Sequence, residues 1–187
     1  MEESMLEPER TRPLKRAEYD RLVELGVFED ERIELLHGTL VTMSPNYPEH
    51  AGPIGTLTTL LVPRLLGRAL VRVQLPVWAA DESEPEPDIA VVPPGNYYDR
   101  HPDSVFLIIE VASSSLRKDR NVKAPLYAAS GFPEYWLVDV IGRRVHVYRE
   151  PIDGKYRSVT ELSASETLRS LAFPDVEVPV AEIVAPA

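Results

Sequence analysis

Three short runs in the middle of the chain are apolar at nearly every position: Asp88 to Val92, Val105 to Ala112, and Tyr135 to Val140. Unbroken apolar runs of about four to eight residues mark strands covered on both faces, in a sheet with helices packed on each side. Helical spacing surrounds them. Tyr19, Leu22, Val23 and Leu25 share one face of a helix that Pro13 can open and Gly26 can end. Ile54, Leu57, Leu60 and Leu61 predict a helix from Pro48 to Leu66, although Gly52, Pro53 and Pro63 disturb both ends. Arg32 to Ser44 reads as two short strands around the turn pair His37-Gly38, and Leu70 to Ala79 alternates as a strand. A polar loop, Pro93 to Ser104, separates the first two apolar runs.

After the second run, Ser113 to Ser115 precede a helix that reaches about Ser130 and stops at Gly131. Pro125 is tolerated only in a first turn, which puts the start of that helix near Asn121. Ile141-Gly142 folds the third run back into a hairpin with Arg143 to Arg149, and further strands follow at Tyr156 to Glu161 and near Leu168. The order predicts an α/β fold: a mixed central β-sheet flanked by helices, an N-terminal helix and hairpin, and a C-terminal β-hairpin extension. Residues 13–187 form a single domain in this reading, and residues 1–12 are disordered.

Composition narrows the chemistry. The chain has 187 residues and no cysteine, so disulfides, thiolate metal sites and thiol catalysis are excluded. A metal would be held by carboxylates, carbonyls, histidine or water, which points to Mg²⁺ or Mn²⁺ over zinc. The acidic start carries no signal sequence and no run is long enough to span a membrane, so the expected location is cytoplasmic. A net charge of −10 argues against a protein that coats nucleic acid non-specifically, yet leaves room for a local basic strip beside an acidic pocket.

Two acids stand out. Asp88 follows Pro87 at the mouth of one apolar run, and Glu110 sits near the end of another. An ionised carboxylate beside apolar residues is costly without a cation or hydrogen bonds, and two on neighbouring strands would repel unless a cation sat between them. The bland alternative is that each caps a helix or pairs with an arginine. Arg117, Lys118, Arg120 and Lys123 make a dense basic cluster suited to phosphate contact or simply to a solvated face.

The stretch from Glu110 through Asp119 and Lys123 to Tyr127, followed by Gly131-Phe-Pro-Glu-Tyr-Trp-Leu-Val-Asp139, resembles the restriction-endonuclease-like PD-(D/E)XK superfamily. Within it the chain is similar to the Uma-two (Uma2) family, with further likeness at Glu34 to Ser44, at His50 and at Pro87-Asp88, over about residues 13–149. The superfamily pattern is a Pro-Asp followed by an acid-x-Lys triplet. Here the triplet reads Glu110-Val111-Ala112, and the lysine offered is Lys123 on the following helix.

That resemblance implies a metal-dependent endonuclease acting on DNA. Asp88 and Glu110 would hold Mg²⁺ (or Mn²⁺) with the Val111 carbonyl, Lys123 would orient or help activate water, and Glu34 would complete the metal shell or position Lys123. His50 is a weaker candidate, and double-strand cleavage would favour a homodimer. The competing expectation is a catalytically inactive binding or interaction protein on the same fold, favoured by the acidic net charge, by Ala112 at the lysine position, and by Pro125 beside Lys123.

Overall fold

A computed structural model describes residues 12–43 and 47–184, so the expectation for residues 1–11 lies outside it. The three apolar runs become the middle of one sheet. Strands β3 (Leu70–Val73), β4 (Ile89–Val92), β5 (Leu107–Ala112), β6 (Glu134–Asp139), β7 (Arg144–Ile152) and β8 (Lys155–Ser163) lie side by side in that order. Every residue of β4, β5 and β6 is buried, as their unbroken apolar character requires. All neighbours are antiparallel except β5 and β6, and this one parallel pair makes the sheet mixed.

A parallel pair needs a crossover, and the chain from Leu116 to Ala129 supplies it. Helix α3 (Leu116–Lys118) runs through a π-helical turn (Asp119–Lys123) into α4 (Ala124–Ala129). The helix therefore begins directly after Ser115 and not near Asn121. Pro125 is accommodated because the π turn widens the backbone just ahead of it, where the Ala124 N–H reaches back to the Asp119 carbonyl. A proline without an N–H breaks no helical bond at such a step.

Two cores form, one on each face of the sheet. Ile54, Leu57, Leu61 and Leu65 of α2 (Pro48–Leu65) pack on Ile89, Ile109, Trp136 and Val138. On the other face Ala124 and Tyr127 pack on Ala90, Ile108, Tyr135 and Leu137. Helix α2 runs through Pro53 and Pro63. Pro63 lies in its last turn, and the donor missing at Pro53 would have faced Glu49 in the exposed first turn.

The N-terminal helix α1 (Arg16–Glu24) and the hairpin of β1 (Ile33–Leu36) and β2 (Thr39–Thr42) fold as expected, although α1 starts three residues after Pro13. The hairpin turns on His37 and Gly38, both at positive φ (49° and 73°), and a side chain at Gly38 would collide with Pro13. A short hairpin of β9 (Thr167–Arg169) and β10 (Glu177–Pro179), then α5 (Val180–Ile183), adds to the α2 face. Strand β3 is shorter than its alternating sequence suggests. At Gln74 the backbone turns to φ 49°, and Pro76 follows without a donor for any ladder. Among the described residues no helix is long and apolar enough to cross a membrane.

Candidate active site

β4 and β5 are neighbours, with Ile89 opposite Ile109, so Asp88 and Glu110 come to the same end of adjacent strands. Residues alternate across a strand, and Glu110 therefore projects to the same face as Ile108 and Ala112, under the crossover helix. Both acids line a cavity of about 60 Å³ that His50, Gln74, Ser113, Asp119 and Lys123 also border. Both are buried, Asp88 at 5% exposure and Glu110 at 4%.

The π turn fixes the lysine. Lys123 is 2% exposed, and its Nζ lies 2.9 Å from Glu110 Oε1 and 2.9 Å from Glu34 Oε2. One turn further on, the Tyr127 hydroxyl donates to the same Glu110 Oε1 at 2.6 Å. Among the described residues the other oxygen, Oε2, has no hydrogen-bond partner. Glu34 is fully buried and comes from β1, on the N-terminal hairpin; its Oε1 also takes Lys118 Nζ at 3.1 Å.

Asp88 is held differently. Its Oδ2 accepts the Val111 backbone N–H at 2.8 Å, and its Oδ1 faces His50 Nε2 at 3.0 Å. β4 ends its pairing at Ile89–Ile109, which leaves the Val111 N–H free for the carboxylate. His50 reaches the site from the first turn of α2.

These contacts bias protonation. Burial pushes Glu110 up to about 8, with Asp88, Asp119 and Glu34 adding to the rise and Lys123 opposing it. Burial alone would lower Lys123, but the pull of Glu110, Glu34 and Asp119 outweighs it and holds the ammonium charged. Burial would raise Glu34, and Lys123 and Lys118 together bring it below its ordinary value. Burial raises Asp119, although Lys123 and a hydrogen bond from Ser115 oppose it. The hydrogen bond to Asp88 raises His50, and the Val111 backbone adds to the effect.

The donors suit a hard divalent cation. Asp88, Glu110 and Asp119 all border the cavity, with Glu34 behind Lys123, so carboxylate oxygens are concentrated there. A protonated His50 would stand beside Asp88 and the Val111 backbone, the place where a cation would find a carboxylate and a carbonyl together. Among the described residues no three His, Asp or Glu side chains converge as a ready-made cage. A metal here would draw on the acid pair, a backbone carbonyl and water, a mode common for Mg²⁺.

The structure brings together all the residues singled out from the sequence: Glu34, Asp88, Glu110, Val111, Lys123 and His50. It also gives site contacts to Tyr127, to Asp119, and to Lys118, which the sequence offered only as one member of a basic cluster. Tyr127 had a signal, since it follows Lys123 by four residues and shares its helix face. Lys118 had none, because a dense basic stretch does not reveal which of its members turn inward. Lys118 and Lys123 turn onto Glu34, while Arg117 and Arg120 face out.

Comparison with known proteins agrees with this architecture. The Uma2 family model, described as "Putative restriction endonuclease", matches residues 16–181. A crystal structure of an Anabaena variabilis protein, described as a "putative nuclease belonging to DUF820", superposes with a TM-score of 0.71 at 16% identity. The match covers 91% of this chain and 97% of that one, and at such identity it speaks to the fold. No curated protein matches in sequence.

Proposed function

We propose, since the chain belongs to the Uma2 family, that it is a metal-dependent endonuclease that hydrolyses DNA phosphodiester bonds at the Asp88–Glu110 cavity. The observation that carries this reading is Lys123. A buried ammonium bridging Glu110 and Glu34 can stand in for the missing strand lysine, although its Cα lies on the crossover helix. The side chain is long enough to reach the acid pair from that element.

Asp88 and Glu110 would hold Mg²⁺ or Mn²⁺ with the Val111 carbonyl. In a strand the N–H and C=O of one residue project to the same side. The Val111 N–H points at Asp88, so its carbonyl faces the same gap, beyond the end of the β4 pairing. When bound, the cation supplies Lewis acidity toward the phosphodiester and toward water.

The remaining work falls to the protein. Lys123 keeps its proton and offers N–H donors to a phosphate oxygen on which charge builds, while orienting the attacking water. Glu34 acts as a positioning residue: its Oε2 holds Lys123, and Lys118 on its other oxygen keeps it ionised. Tyr127 fixes Glu110 by one oxygen and leaves Oε2 to the cavity. Burial of Asp88, Glu110 and Lys123 in the small cavity shields these groups in part from water and strengthens each of these contacts.

The test is incubation of plasmid, linear and single-stranded DNA with the protein and Mg²⁺ or Mn²⁺, beside an EDTA control. Cleavage is expected with metal, none in EDTA, and none with Asp88→Asn or Glu110→Gln of unchanged fold. Metal-dependent cleavage that survives both substitutions would remove the site from the mechanism. No cleavage of any substrate would leave the fold as a binding or interaction protein.

A further inference from the structure

The acidic cavity shares its Ser113 and Ser114 wall with a much larger groove, about 820 Å³, that runs along Arg117, Arg120 and Asn121 to the turn between β6 and β7. Three features mark this groove.

First, its arginines lack acid partners. Many arginines elsewhere pair with carboxylates, Arg68 with Asp175, Arg144 with Glu161 and Arg149 with Glu134 for example, although among the described residues Arg64, Arg72 and Arg100 also have none. Among the described residues Arg117, Arg120 and Arg143 have none, and all three are exposed. Arg120 touches the ring nitrogen Nε2 of His146 at 3.1 Å, and Arg143 sits in the β6–β7 turn itself. In a chain of net charge −10, two such guanidiniums lining one groove and a third on the turn that borders it concentrate positive charge locally.

Second, the acid that lines the groove is already engaged. Asp139 Oδ1 accepts the Gly142 N–H at 2.7 Å and shapes the turn. Third, the tip of that turn is Ile141, which is 80% exposed at the groove rim. A large exposed apolar side chain on a groove lined by arginines is in place to meet something both apolar and anionic.

We infer that this groove seats the nucleic-acid strand that leads into the acidic cavity. Arg117 and Arg120 grip successive phosphates, Arg143 takes a flanking one, and Ile141 lies against a base. Guanidiniums bind phosphate through paired N–H donors, and apolar side chains at a groove rim wedge against base faces. The basic residues of the crossover helix thus divide into two sets. Lys118 and Lys123 turn in to the carboxylates, and Arg117 and Arg120 turn out to the strand. The inference rests on the nuclease reading and extends it to the path of the substrate.

The test uses Glu110→Gln protein with Mg²⁺, so that no strand is cut, and reads fluorescence anisotropy of labelled single-stranded and duplex oligonucleotides over a salt series. Adding Arg117→Ala and Arg120→Ala should weaken binding at least tenfold and lower the slope of log affinity against log salt by about 1.4 to 1.8. Adding Ile141→Ala should weaken binding with the slope unchanged. Arg157→Ala, on an exposed arginine near Asp153, is the control and should change little. Equal affinity and slope in the double arginine variant overturns the groove, and does so alone if the unsubstituted protein still cuts DNA with metal. No binding by the parent and no cleavage by the unsubstituted protein overturns the groove and the nuclease reading together.

Discussion

Lys123→Met removes the charge at the centre of the site while keeping most of the side-chain stem. Breaking a buried ion pair by deleting one partner costs about 3–5 kcal/mol, because the other charge is left without compensation. Two features of this site reduce that figure. Glu34 keeps Lys118 on its second oxygen. Glu110, pushed up to about 8 by burial, can take a proton near neutral pH and escape its unpaired state. The expected loss in EDTA at pH 6.5 is therefore about 2–3 kcal/mol, a fall of roughly 5–10 °C in Tm for a domain of this size. The pH dependence follows from the sign of the shift. The folded value for Glu110 lies above its ordinary 4.5, so the stability tied to its proton is complete below about 4.5 and is lost as pH rises through about 8. Without Lys123, which holds Glu110 down in the parent, the folded value rises further, so between pH 8 and 9 the variant goes on losing stability after the parent has stopped, and the loss should grow toward the upper end of the range. Thermal unfolding followed by circular dichroism at the two pH values reads this directly. An equal drop at pH 6.5 and 9, or a drop below about 1 kcal/mol, would refute the buried-pair reasoning.

Two further substitutions probe neighbouring parts of the molecule. Glu84 is 5% exposed, its Oε2 has no hydrogen-bond partner among the described residues, and burial together with Asp20 raises it to about 7 against the pull of Arg16. Its contribution is lost as pH rises from about 4.5 through 7, so Glu84→Gln should gain up to about 3 kcal/mol over the parent at pH 8 and little at pH 4.5, measured by urea unfolding; a pH-independent difference contradicts the burial argument. Tyr127→Phe removes one of the two donors on Glu110 Oε1 and should cost about 1 kcal/mol in stability while weakening Mn²⁺ binding; unchanged metal affinity would show that Glu110 needs no such anchor.

The sheet was legible because its central strands are apolar at consecutive positions, a pattern that only burial on both faces explains. The pairing of Asp88 and Glu110 followed from the same runs, since acids at the ends of adjoining strands meet if the strands pair, and they do. The errors lie where backbone geometry departs from period. The alternation of Leu70 to Ala79 continues past Gln74, but nothing in alternation shows that Gln74 turns to a positive φ. Pro125 argued for a late helix start on the assumption of regular α geometry, and the π turn removed that constraint. The basic stretch from Arg117 to Lys123 read as one cluster because density along a sequence carries no facing information. Folded, it divides between the acidic cavity and the groove.

Whether Asp88 and Glu110 form one divalent-cation centre is tested most directly by Mn²⁺ titration of the metal-free protein, followed by calorimetry. Mn²⁺ should bind at this centre in the unsubstituted chain, and binding should be lost in Asp88→Asn and in Glu110→Gln, with both variants still folded. Binding of the same strength in all three proteins, or no binding in the unsubstituted chain, would contradict a shared centre.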